Sequence, residues 1–237
     1  RNRKVGDHTL EGERQVFSAY FNWLQREGLI DHNPTANLGS IKYAKKVKQI
    51  YSDVEMEKLK RYCKTKRDYA IVTFLRSTGC RISEMTNLNR DAVDLKSLEC
   101  IVVGKGNKER VIYLNDACRS SLSDYLKIRP NEGVPADHKN ALFISRNKRR
   151  ISNKTVQHIV YTYLEKIGLG GQGLSVHKLR HTAATLMYQH GNVDIRVLQD
   201  ILGHENLGTT EIYTHLSDIQ MENAANANPL SKVKKKT

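Results

Sequence analysis

Apolar and polar positions along this chain follow two rhythms, and the change between them outlines the fold. Val16, Phe17, Tyr20, Phe21 and Leu24 recur at helical spacing, with Gly28 as terminator. Asp31-His32-Asn33-Pro34 then reads as a turn. One amphipathic helix cannot bury its stripe alone. Residues 1–40 are therefore expected to end a small helical domain whose other helices are absent from this sequence or belong to another chain. The opening Arg1-Asn2-Arg3-Lys4, without an initiator Met, fits a piece of a longer protein.

Residues 41–51 read as a basic linker, with Lys42, Lys45, Lys46 and Lys48 within seven residues. A second unit opens at Ser52-Asp53-Val54-Glu55, an S-x-x-E capping box, and leads into a helix to about Cys63. Lys66 to Ser77 predicts a mostly apolar, buried helix ending near Gly79, and Arg81 to Leu88 a short one. The period then changes from helix to strand. Cys100–Val103 and Arg110–Leu114 predict a hairpin around Gly104-Lys105-Gly106-Asn107, and Leu142–Ile144 a further short strand. Asn115 is placed to cap a helix to about Ile128, and Pro130 to Lys139 reads as a loop. Ser152 is placed to cap a helix with Val156, Ile159, Val160, Tyr163, Leu164 and Ile167 on one stripe. Two more helices, about His177–His190 and Asp194–Leu202, are closed by Gly191 and Gly203. No internal repeat appears. The expected class is mainly α with a small antiparallel β-sheet.

Length and composition sharpen this. The 237 residues are enough to bury a core without metal or disulfide staples. A net charge of +14, from 39 basic and 25 acidic residues, favours a polyanionic partner over simple metabolic chemistry. No apolar run reaches the roughly 18 residues of a membrane span. Cys63, Cys80, Cys100 and Cys118 form no C-x-x-C pair, and their scatter fits a reduced cytoplasmic setting. The glycine-rich loop 168–173 lacks the Gly-Lys-Ser/Thr of a nucleotide loop, so it reads as a connector.

Five short strings stand in order: Thr78-Gly79-Cys80-Arg81-Ile82-Ser83-Glu84, the Lys105 turn, His177-Lys178-Leu179-Arg180-His181-Thr182-Ala183-Ala184-Thr185, Leu202-Gly203-His204, and Thr210-Glu211-Ile212-Tyr213-Thr214-His215. An isolated H-x-x-R is weak, but five such elements in sequence are specific. Together they resemble the tyrosine recombinases, which include phage integrases, Xer-type recombinases and integrases of conjugative transposons. The resemblance spans roughly residues 52–220, and residues 10–40 look like the last helix of that family's core-binding domain. It implies a catalytic domain over 52–220, followed by a tail at 221–237; the segment Ser217 to Leu230 is the candidate for packing onto a neighbouring protomer, and Lys232, Lys234, Lys235 and Lys236 read as a basic end.

The resemblance implies a catalytic set of Arg81, Lys105, His177, Arg180, His204 and Tyr213. Attack on a phosphodiester places negative charge on non-bridging oxygens, and planar guanidinium groups donate paired hydrogen bonds to such oxygens. Arg81, Arg180, His177 and His204 would supply that charge, Tyr213 the nucleophile and Lys105 the proton for the leaving 5′-oxygen, with Lys108 a neighbouring competitor. Glu84 is expected to orient a basic group or a helix end, and His181 and His215 to be structural. No metal or cofactor is expected, both because the resemblance implies none and because the sequence offers no dense carboxylate cluster. The basic run Arg146, Lys148, Arg149 and Arg150 is expected on phosphates.

The implied function is site-specific DNA recombination through a covalent 3′-phosphotyrosyl intermediate, serving integration and excision of a mobile element. Implied partners are a double-stranded DNA recombination site, further copies of the chain (dimer to tetramer) and an accessory DNA-bending protein. A topoisomerase using the same chemistry and a catalytically silent DNA-binding regulator are the alternatives.

Overall fold

The computed structural model describes residues 5–42, 50–190 and 193–203. The chain divides into two compact units, residues 1–48 and 49–237.

In the first unit, α1 (Asp7–Arg26) begins well before its apolar stripe. Its first turns are polar and carry no periodic signal. They are held by Glu11, which is buried and accepts from Arg14 Nε at 2.9 Å, Arg14 NH2 at 2.7 Å and the Ile41 backbone N–H at 2.8 Å. These donors bring the Glu11 carboxyl down to about 2, Arg14 contributing most. Val16, Phe17, Tyr20 and Trp23 are exposed, in keeping with a stripe that a single helix cannot cover.

The second unit is built around α3 (Lys66–Thr78). Ala70, Ile71, Val72, Phe74 and Leu75 are all at most 1% exposed, so this helix is enclosed on every side. It packs against α5 (Asp116–Ile128) and α7 (Val176–His190). Around it lie α2 (Asp53–Tyr62), α4 (Ile82–Asn87), α6 (Asn153–Lys166) and α8 (Ile195–Leu202). The caps are local and satisfy helix-end amides that the core could not. Ser52 and Glu55 form the reciprocal box, while Asn115 and Ser152 accept from Cys118 and Thr155 backbone N–H groups.

The sheet has three antiparallel strands in chain order: β1 (Val93–Asp94), β2 (Glu99–Val103) and β3 (Glu109–Tyr113). Val103 pairs with Glu109 and Glu99 with Tyr113, and a 3₁₀ turn, Lys105–Asn107, joins the hairpin. The two residues of β1 are too few to show alternation.

Three expectations need correction. Leu142–Ile144 is buried but is no strand; it is flanked by single bridges, Asn89 with Ala141 and Ile144 with Arg150. The buried Arg129 guanidinium takes the carbonyls of Lys139, Ala141 and Leu142, and the Tyr125 hydroxyl accepts from the Ile144 N–H, which leaves no ladder to form. Tyr51, read as the last linker residue, is a core residue at 2% exposure; its N–H donates to Thr182 Oγ1 and its hydroxyl to the Ser175 carbonyl. Arg150, expected on phosphates, turns inward and caps α4 through the carbonyls of Thr86 and Leu88. Arg146, Lys148 and Arg149 remain exposed.

All four cysteines are free thiols, and burial pushes each up to about 12, away from reactivity. No helix of the described residues is long and apolar enough to cross a membrane.

Candidate active site

The carboxyl end of α8 leaves its last carbonyls without helical partners. Three arginines from distant parts of the chain take them in succession. Arg110 Nε donates to the Ile201 carbonyl at 3.1 Å, Arg180 NH2 to Leu202 at 2.8 Å and Arg81 NH2 to Gly203 at 2.6 Å. Cations here also complement the negative end of the helix dipole. Gly203 ends the helix with φ 63°, and a Cβ at this position would sit 2.9 Å from Arg110 NH1. Only glycine permits both the left-handed backbone and the close guanidinium.

A second anchor ties Arg180 to the other half of the site. Its NH1 donates to the Gly79 carbonyl at 2.6 Å, two residues before Arg81. Gly79 is the left-handed cap of α3, with φ 62°. Arg180 is 5% exposed, whereas the Arg81 side chain keeps 35% of its surface open. The two guanidinium groups are thereby held on neighbouring carbonyls, one inward and one at the surface.

Glu84 sits beneath them with its side chain 2% exposed. Its Oε1 accepts Arg110 NH1 at 2.7 Å and Arg81 NH1 at 2.9 Å, and its Oε2 accepts Arg110 NH2 at 2.8 Å and the Arg81 backbone N–H at 2.7 Å. Burial pushes this carboxyl up, but the hydrogen bonds of Arg110 and then the Arg81 backbone outweigh it, and the net shift is downward. Glu84 therefore orients a basic group and caps α4 at once.

His177 lies one turn before Arg180 on α7 and is exposed, at the edge of a cleft of about 440 Å³ that Tyr161, His158 and Ser175 also line. The buried His181 packs edge-on against it, ring centroids 4.6 Å apart. Lys105 opens the 3₁₀ turn of the hairpin; its side chain lies outside the described residues. His204, Tyr213, His215, the segment 217–230, the lysine tail and Lys45, Lys46 and Lys48 also lie outside them. Among the described residues no group of three or more His, Cys, Asp or Glu could hold a metal ion.

Of the six residues expected at the site, the structure brings Arg81 and Arg180 together and places His177 on the same helix as Arg180. Arg110 was missed. Its signal was present in the β3 alternation: Ile112 is buried on the inward face, and a residue two positions away shares that face.

Residues 43–219 match the phage integrase family. The chain is 49% identical over 220 residues to tyrosine recombinase XerC of Caldanaerobacter subterraneus subsp. tengcongensis, covering 90% of this chain and 60% of that protein. It thus spans about three-fifths of that curated relative's length. Among solved structures, XerA recombinase is similar with a TM-score of 0.67 and 27% identity, over 98% of this chain and 86% of that one. The Tn1549 transposon integrase, solved in complex with a circular intermediate DNA, has a TM-score of 0.75 at 17% identity, over 94% and 79% respectively, a likeness of fold alone. The mainly helical unit with its small antiparallel sheet is thus the catalytic fold of tyrosine recombinases, and the chain belongs to the phage integrase family.

Proposed function

We propose that this chain is a site-specific DNA strand transferase that cuts and rejoins duplex DNA through Tyr213. The observation that carries this reading is the convergence of Arg81 and Arg180 on consecutive carbonyls beside the exit of α8, next in sequence to His204. Kinship with XerC and the net charge of +14 support it.

In this reading the Tyr213 oxygen attacks a backbone phosphorus, the bond to the 5′-oxygen breaks, and the 3′ end stays on the tyrosine. The phenol proton passes to water, and the departing 5′-oxygen gains one from Lys105, which recovers it from water. Arg81, Arg180, His177 and His204 stabilise charge on the non-bridging oxygens, and removing one such donor typically costs about 10²–10³ in rate. A free phenol has a pKa of about 10, so Tyr213 depends on this positive surround. The covalent bond conserves the energy of the broken one, and a 5′-hydroxyl from a partner duplex reverses the step.

Recombination needs exchange of two strands at two sites, so the active species is a dimer or tetramer on DNA, with residues 217–230 packing onto a neighbouring protomer. Residues 1–40 close a core-binding domain, residues 41–50 form a basic linker that contacts backbone phosphates, and an accessory DNA-bending protein assists. The setting is the cytoplasm. Integration and excision of a mobile element is one use of this chemistry, and sequencing the trapped DNA identifies the sites.

A nicked duplex that releases a short 5′ fragment tests the reading. Wild type should accumulate a covalent adduct, and Tyr213→Phe should bind the same DNA and form none. Binding without any wild-type adduct would instead favour a silent DNA-binding regulator.

A further inference from the structure

Arg110 is the largest unexplained investment of the site. It stands on the inward face of β3, opposite Val102 in the register, within the hairpin that carries Lys105. All three nitrogens of its guanidinium are used: NH1 and NH2 grip both oxygens of Glu84, and Nε holds the Ile201 carbonyl. Its side chain is 16% exposed, so it is not the group offered outward. Arg81 is, but Arg81 also pairs with Glu84.

Charge decides what this arrangement does. A buried carboxylate with Arg81 as its sole partner would neutralise the cation that faces a phosphate. A second guanidinium in bidentate contact leaves the three groups with one net positive charge. We infer that Arg110 is a positioning residue: it is the counter-ion of Glu84, it leaves the charge of Arg81 for a backbone phosphate, and it ties the Lys105 hairpin to the end of α8. The inference rests on the proposed strand-transfer reading for the identity of that phosphate, and extends it to a residue outside the expected set.

The consequence is a rescue that a purely mechanical role would not give. Arg110→Met keeps the length and removes the charge. Arg110→Met combined with Glu84→Gln also removes the anion, and the glutamine oxygen still accepts from Arg81. The rate of adduct formation at saturating protein should fall by about 10²-fold in Arg110→Met, the scale of a misplaced catalytic group. The double variant should regain at least about tenfold of it. Arg110→Lys keeps the charge but loses the fork, and should lie between.

A second readout needs no catalysis. Inorganic phosphate should raise the unfolding temperature of the wild-type chain relative to chloride at equal ionic strength, as any ligand of the folded state does. Arg81→Ala and Arg110→Met should both lose this rise, and the double variant should recover it. A double variant no better than Arg110→Met in both readouts would overturn the counter-ion role, as would an Arg110→Met that cleaves and responds to phosphate like wild type. A phosphate response that survives Arg81→Ala would overturn the assignment of the charge to Arg81. Absence of any wild-type adduct would sink the strand-transfer reading alone, with the phosphate response still deciding the role of Arg110.

Discussion

Arg180 donates to the carbonyl of Gly79 at 2.6 Å, and through that bond a residue on α7 fixes the turn that delivers Arg81. The turn needs glycine, since φ is 62° and a Cβ would meet Leu202 Cδ2 at 3.2 Å and Ala183 Cβ at 3.4 Å. Gly79→Ala should destabilise the fold by about 1–2 kcal/mol from the left-handed backbone alone. It should also slow adduct formation at temperatures where the variant is folded. Urea unfolding and the trapping rate check both; a variant with wild-type values in each would show the turn to be replaceable.

Thr73 and Thr185 are fully buried on the facing helices α3 and α7, and neither hydroxyl has a hydrogen-bond partner among the described residues. A buried hydroxyl without a partner costs about 1–3 kcal/mol. Thr73→Val and Thr185→Val keep the branched shape and remove that cost, so each should raise stability by about 1 kcal/mol. A lower urea midpoint in either variant would reveal a partner for that hydroxyl.

These features separate what was legible in the sequence from what was not. The caps at Ser52, Asn115 and Ser152 are local chemistry, readable from one turn of sequence, and all three hold as drawn. The buried α3 was visible in its unbroken apolar run. Arg129 and Arg150 were not readable as structural, because a guanidinium looks the same whether it faces solvent or a row of carbonyls 10 or 62 residues away. The same blindness hid Arg110, whose partners are 26 and 91 residues distant. Gly203 was read as a helix terminator; its closeness to Arg110 belongs to tertiary structure alone.

Acid should loosen the first unit in a defined window. The folded Glu11 carboxyl, at about 2, lies below its ordinary 4.5, so its stabilisation is complete above 4.5 and disappears as pH falls through about 2. The Ile41 amide, which donates to Glu11, should therefore lose exchange protection in that interval. Glu11→Gln should show no such step. An Ile41 amide equally protected at pH 5 and pH 2 in the wild type would contradict the assignment.

Lys105 and the arginines should separate on a substrate whose bridging 5′-oxygen is sulfur. A thiol, with a pKa of about 8.5, leaves without much help, whereas an alkoxide depends on a general acid by about 10²–10⁴. Lys105→Ala should be slow on normal DNA and regain much of its cleavage on the sulfur substrate. Arg81→Ala and Arg180→Ala should stay slow on both. If Lys105→Ala shows no selective gain, Lys108 is the next residue to test in the same way.

The three carbonyls at the end of α8 also set a timetable. Arg81 and Arg110 leave the ribosome 122 and 91 residues ahead of the carbonyls that hold them. At about 5–20 residues per second, the nascent chain carries both arginines for several seconds before Gly203 is made. Throughout that interval Glu84 can link the hairpin to α4 and to Arg81, but the end of α8 is not yet there to hold either arginine. A half-made polypeptide thus carries Arg81 and Arg110 before the carbonyls that set them side by side exist.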